Sequence, residues 1–165
     1  MLPEKVVSGA QTGADRGGLK AAITLGISIG GWCPKNRRAE DGKIPDLYPL
    51  QETPSADYPQ RTEWNVRDSD ATLVFTWGKI GRGSALTASI CERQQKPCLM
   101  LDLHGFKEEK IAEYISNFLK EHRPRVLNIA GSRESKAPGI EVKVERVMAL
   151  VLEEARKKEG GSSLH

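Results

Sequence analysis

The chain has 165 residues, 38% apolar and 28% charged, enough for one globular domain that folds around its own core without disulfide or metal. Lysine and arginine outnumber aspartate and glutamate 25 to 22, too slight an excess to argue for nucleic acid and compatible with a small anionic ligand. No apolar run approaches the roughly 18 residues of a membrane span, and no basic segment and apolar core follow Met1, so neither membrane nor export is expected.

Val6-Val7 predict the end of a buried first strand, and Gly9-Ala10-Gln11-Thr12-Gly13-Ala14-Asp15-Arg16-Gly17-Gly18 a glycine-rich turn into a helix whose inner stripe is Leu19, Ala22 and Ile23. A second short strand follows at Ile27-Ser28-Ile29. From Trp32 to about Pro59 no periodicity holds, and five of the nine prolines lie there, which predicts an ordered flap carrying Lys35, Arg37, Arg38, Glu40 and Asp41. Gln60–Asp70 predicts a short helix with Arg61, Asn65 and Asp68 on one face. Then come a strand at 72–76, a helix over roughly 84–95, a strand at 98–101 and a helix with Ile111, Ile115, Phe118 and Leu119 inward. A strand at 125–130 precedes a last helix marked by Ile140, Val144, Val147, Met148, Val151, Leu152 and Ala155.

Strands that are apolar throughout, alternating with helices, predict an α/β fold: a Rossmann-like three-layer sandwich with a mostly parallel sheet of about five strands and helices on both faces. Residues 1–156 are expected to form one domain and 157–165 a flexible tail. Cys33, Cys91 and Cys98 are odd in number and show no close pairing, so free thiols and a reducing, cytoplasmic setting are expected. No metal-ligand spacing appears, and His104, His122 and His165 are too scattered to form a catalytic set.

In a parallel sheet, ligands bind beyond the carboxyl ends of the strands. Three post-strand loops fit an anion there: Gly9–Gly18; Gly78–Thr87, with Gly81, Gly83, Ser84 and Thr87; and Gly131–Gly139, with Ser132, Arg133, Ser135 and Lys136. Backbone N–H groups with Thr12, Ser84 and Thr87 would hold a phosphate, and Arg133 and Lys136 would neutralise it. Gln11 suits a heterocycle edge. Asp15, repelled by phosphate, is expected to pair with Arg16, or to accept hydrogen bonds from an amino-heterocycle or ribose. Trp32, Lys35, Arg61 and Asn65 are the flap-side candidates. A β-branched residue at Gly13 is expected to abolish ligand binding with little loss of folding if φ is positive there.

Ser8–Gly17, Gly31-Trp32-Cys33-Pro34-Lys35, Arg38–Gly42, Tyr58–Asp70 and Ala130–Ser135 together resemble the molybdenum carrier family, relatives of the lysine-decarboxylase-like cytokinin-activating proteins. The resemblance covers roughly residues 5–152. It implies a Rossmann-like fold, self-association, and non-catalytic binding of the molybdenum cofactor (molybdopterin), a phosphorylated pterin, for use by molybdoenzymes. The phosphoribohydrolase relatives carry Pro-Gly-Gly-x-Gly-Thr-x-x-Glu after this strand. Aligned on Gly83-Ser84-Ala85-Leu86-Thr87, their glutamate becomes Thr87, which cannot act as a carboxylate. Two other readings stay open: a nucleoside monophosphate N-glycosidase using Asp15, Glu40 or Asp41, and a nucleotide-sensing module.

Overall fold

A computed structural model describes residues 2–162. The chain opens with β1 (Lys5–Val7), α1 (Ala14–Thr24) and β2 (Ser28–Gly30). The flap holds four two-residue strands, β3 (Trp32–Cys33), β4 (Arg38–Ala39), β5 (Gly42–Lys43) and β6 (Gln51–Glu52). Then come α2 (Tyr58–Arg67), β7 (Ala71–Thr76), α3 (Arg82–Arg93), β8 (Cys98–Asp102), α4 (Glu108–His122), β9 (Val126–Gly131) and α5 (Ile140–Ser162).

Five strands form one sheet in the order β2-β1-β9-β7-β8, and every pair in it is parallel. β7 is buried at all six positions, as its unbroken apolar run predicts. β9, the last strand in sequence, is the central one: Leu127 pairs with Val6 on one side and Ala71 on the other. The architecture is the α/β three-layer sandwich expected.

The two outer layers are unequal. α1, α5 and α4 pack side by side on one face, where Leu19, Ile115, Val144, Met148 and Leu152 meet Leu73, Phe75, Leu127 and Ile129 in a large core. The other face carries only α2 and α3, whose cluster is Val66, Ile90 and Cys91 backed by Leu86 and Cys98. At about 1.5–3 kcal/mol per large side chain withdrawn from water, the first layer supplies most of the stability. The second leaves room over the sheet.

The flap is ordered around buried Ile44 and Tyr48. Arg37 ties it together, donating from Nε to the Ile44 carbonyl (3.2 Å) and from Nη2 to those of Pro45 (2.8 Å) and Tyr48 (2.7 Å). Trp32 anchors it to α2 by an edge-on contact with Trp64 at 4.7 Å and an Nε1–H bond to Asp68 at 2.7 Å.

Two details differ from the sequence reading. Helix α5 continues through Lys157, Lys158 and Glu159 to Ser162 rather than giving way to a tail at 157. Lysine and glutamate are good helix formers, and Lys158 pairs with Glu154 one turn back (3.0 Å). Residues 163–165 lie outside the described ones. Cys91 and Cys98, seven positions apart, meet in space through a thiol–thiol hydrogen bond between α3 and β8. Among the described residues no helix is long and apolar enough to cross a membrane.

Helix α1 lies unusually close to its neighbours. A Cβ on Gly18 would fall 2.6 Å from Ile129 Cγ2, and one on Gly17 2.5 Å from the Glu141 carbonyl oxygen of α5. Gly17→Leu is therefore expected to lower stability by about 1–3 kcal/mol through overpacking. A reduced midpoint of urea unfolding would show it, and an unchanged midpoint would contradict the packing.

Candidate functional site

β1, β9 and β7 are neighbours, so the loops that leave them share one edge of the sheet. These loops are locked backbone to backbone: Ala14 N–H donates to the Ser132 carbonyl (3.1 Å) and Ser132 N–H to that of Phe75 (2.9 Å). Such closeness requires glycine. A Cβ at Gly13 would sit 2.4 Å from the Ser132 oxygen, and one at Gly131 2.1 Å from the Phe75 oxygen. Gly13 does have positive φ (+86°), but the space beside it is filled by backbone of the third loop, not open to ligand. A β-branched residue there therefore costs folding, where the sequence predicts little loss of it.

Between α2 and α3, over the sheet face that presents Asn128 and Ala130, lies a cavity of about 890 Å³. Its lining combines Gly9, Gln11 and Asp15 from the first loop and α1, Arg61 and Asn65 from α2, Gly81, Gly83, Ser84 and Thr87 from the second loop and α3, and Gly131, Ser132 and Arg133 from the third. The three loops thus converge as the sequence suggests. Lys79, Arg82 and Lys136 also line it and enter no ion pair among the described residues.

Three helices, α1, α3 and α5, begin beside the cavity, and they differ in how their first turns are satisfied. The first turn of α1 is closed by the Ser132 carbonyl. That of α5 is closed by Glu134, which accepts from Gly139 N–H (2.5 Å) and Glu141 N–H (3.1 Å). Helix α3 begins at Gly81 with no side-chain cap, and Arg82, Gly83 and Ser84 have no backbone acceptor for their N–H groups. Buried Ser84 and Thr87 stand beside that start, although the Thr87 hydroxyl donates back to the Gly83 carbonyl (3.0 Å).

Several predicted residues serve the frame and not the cavity. The Thr12 hydroxyl donates to Glu40, and so does Ser135, from N–H (3.1 Å) and Oγ (2.5 Å). Glu40 thereby ties the flap to the first and third loops, with Arg133 Nε 3.9 Å away. Burial favours the neutral acid, but the hydrogen bonds from Ser135 and Thr12 outweigh it and hold the Glu40 carboxyl below its usual range. Arg16 does not pair with Asp15. It forms a two-pronged bond to Asp41 (2.6 and 2.9 Å), fastening the flap to α1, and this bond lowers the Asp41 pKa. Consecutive helical residues point about 100° apart, so Asp15 and Arg16 reach different neighbours. Lys35 is exposed and Trp32 lies against Trp64; neither lines the cavity.

Asp15 pairs instead with Arg61 of α2, at 3.2 Å, and accepts from Gln11 N–H at 3.1 Å. Burial pushes its carboxyl above the usual carboxylate range, against the pull of Arg61. Arg61 in turn lies across Gly9, where a Cβ would fall 2.1 Å from Nη1. Asn65 exchanges two hydrogen bonds with the Trp32 backbone (2.7 and 2.9 Å), docking the flap on α2.

Sequence reasoning missed Tyr58, Trp77 and Asn128. Arg38, Arg61 and Arg133 gather over the Tyr58 ring at 4.9, 5.4 and 5.7 Å, and Trp77 faces Lys143 at 4.5 Å. Asn128 had a readable signal, an amide inside an otherwise apolar strand. Among the described residues no three or more histidine, cysteine or acidic side chains gather as a metal site.

Removing the guanidinium should expose the buried ion pair. Arg61→Met is expected to cost about 3 kcal/mol at pH 7, because it strands the Asp15 charge. The Asp15 pKa then rises further above its unfolded value, so the folded form takes up a proton that the unfolded form does not. Stability consequently falls as pH rises through that window, and the deficit should shrink at pH 5. Urea unfolding at both pH values checks this; equal losses would contradict a buried pair.

The geometry has counterparts in known proteins. The model of the Circularly permutated YpsA SLOG family matches residues 6–152. The chain is 45% identical, with a TM-score of 0.86, to a crystal structure from Syntrophus aciditrophicus SB named "Putative molybdenum carrier protein", covering 91% of this chain and 94% of that one. No curated protein matches. Moving β9 and α5 to the front of the chain would number the strands 3-2-1-4-5 across the sheet, the order of a doubly wound nucleotide-binding fold, so the permutation is visible in the topology itself. The likeness to that crystal structure extends over nearly the whole chain, and this chain belongs to the circularly permutated YpsA SLOG family.

Proposed function

We propose that the protein is a non-catalytic carrier that binds the molybdenum cofactor, a phosphorylated pterin, in the cavity between α2 and α3. The observation that carries this reading is the open start of α3. Unbonded N–H groups, the helix dipole and Ser84 converge where Lys79, Arg82, Arg133 and Lys136 supply charge that the protein leaves largely uncompensated. A volume of about 890 Å³ is within the range of small-molecule sites. No cysteine or histidine is among the lining residues, so the metal would be held by the pterin's own atoms and the protein would grip phosphate and ring. Self-association, delivery to molybdoenzymes and a cytoplasmic setting belong to the same proposal.

One observation favours a second reading, nucleoside monophosphate hydrolysis. Asp15 is the one acid among the lining residues, and its pKa is raised. Against this, it is 3% exposed and clamped by Arg61 and Gln11, while Glu40 and Asp41 are spent on the flap. Free base released from nucleoside monophosphates, and abolished by Asp15→Asn, would replace the carrier reading.

Calorimetric titration with the cofactor, AMP and inorganic phosphate tests the proposal. The cofactor should bind tightest and phosphate should compete with it; equally weak binding of all three would remove the assignment. Arg133→Ala should weaken cofactor binding by about 3- to 10-fold at low salt, and by less at high salt, since it removes a partly exposed charge. Undiminished affinity would count against the placement of the phosphate.

A further inference from the structure

Two buried hydrogen-bond donors on residues that line the cavity have no partner: the Gln11 side-chain nitrogen Nε2 and Arg61 Nε. Buried polar groups are almost always paired, and each orphan costs about 1–3 kcal/mol, so two of them on adjoining residues of one cavity call for a ligand atom.

The Gln11 amide cannot be turned to relieve this. Its Oε1 accepts from Thr12 N–H (3.1 Å) and Glu40 N–H (2.9 Å), two fixed backbone donors that would clash with an inverted NH2 group. The side chain is 6% exposed and therefore held, with Nε2 bound to be a donor. Arg61 is fixed as well. Asp15 takes its Nη1, while its Nε, on the other fork of the guanidinium, has no acceptor.

Charge decides what these donors accept. Arg61 is already matched by Asp15, so this corner is close to neutral, whereas Lys79, Arg82 and Lys136 are unmatched. A phosphate belongs with the unmatched cations. A neutral carbonyl oxygen belongs with Gln11 and Arg61.

Resting on the reading of the cavity as a site for phosphorylated heterocycles, we propose that Gln11 and Arg61 form a subsite for a ring carbonyl. The site then selects oxo-heterocycles and rejects those that carry an amino group at the same position. An amino group would set donors against donors and leave both protein groups unpaired, the situation in which polar sites discriminate most strongly.

Two ligand pairs that differ by this exchange provide the test, each measured by calorimetry with and without inorganic phosphate: IMP against AMP, and pterin against 2,4-diaminopteridine. The oxo member should bind at least about tenfold tighter in any pair that binds. Gln11→Glu keeps an oxygen for Thr12 and Glu40 while exchanging the orphan donor for an acceptor. It should bring the two members to within about threefold. Equal affinities in the unaltered protein, or an oxo preference that survives Gln11→Glu, would overturn the subsite and leave the phosphate reading standing. If neither pair binds and phosphate displaces nothing, the cavity reading fails first and takes the subsite with it. The comparison in the unaltered protein decides the matter even if the variant does not fold.

Discussion

Direct contact between the backbones of three loops governs this molecule. The Gly13 and Gly131 segments lie so close to Ser132 and Phe75 that not even a methyl group fits between them. Around this contact Glu40 and Asp41 of the flap and Glu134 of the third loop serve as clamps on neighbouring amides and on Arg16. Glu134 occupies the start of α5, and the Ser132 carbonyl takes the Ala14 N–H at that of α1. What remains open beside the cavity is the start of α3, and the chemistry of the cavity follows from that subtraction.

The unequal layers explain why a cavity exists at all. Three helices cover one sheet face with a continuous apolar core, while α2 and α3 share a cluster of a few side chains on the other. β9 turns Asn128 and Ala130 toward this thin layer, where a packed core would want large apolar groups. The opening also falls between β9 and β7, where the permuted strand order reverses direction, the place where doubly wound sheets bind ligands. Topology and poor packing select the same spot.

Much of this was legible in the sequence. Apolar runs marked β1, β7, β8 and β9, and a 3.6-residue stripe marked α5, because burial imposes those periods directly; β2, largely unburied at the sheet edge, lies one residue later than the predicted 27–29. The convergence of the three glycine loops could also be read, since each follows a strand of one parallel sheet. What each donor does there could not be read. Asp15 and Arg16 are adjacent in the chain, yet their partners lie 46 and 25 positions away, and only the docked flap and α2 bring Arg61 and Asp41 to them. Thr12 has the right chemistry for a phosphate and is spent on Glu40 for the same reason. Cys91 and Cys98 touch because a tight turn folds β8 back along α3, a distance that residue spacing does not express.

The central position of β9 has a consequence for how the protein is made. A ribosome delivers β1 and β2 first and β7 and β8 next, but these two ribbons share no hydrogen bond until residues 126–131 emerge between them. Nascent chains therefore carry two pairs of strands with open edges from the completion of β8 until β9, the keystone that joins them, has left the exit tunnel.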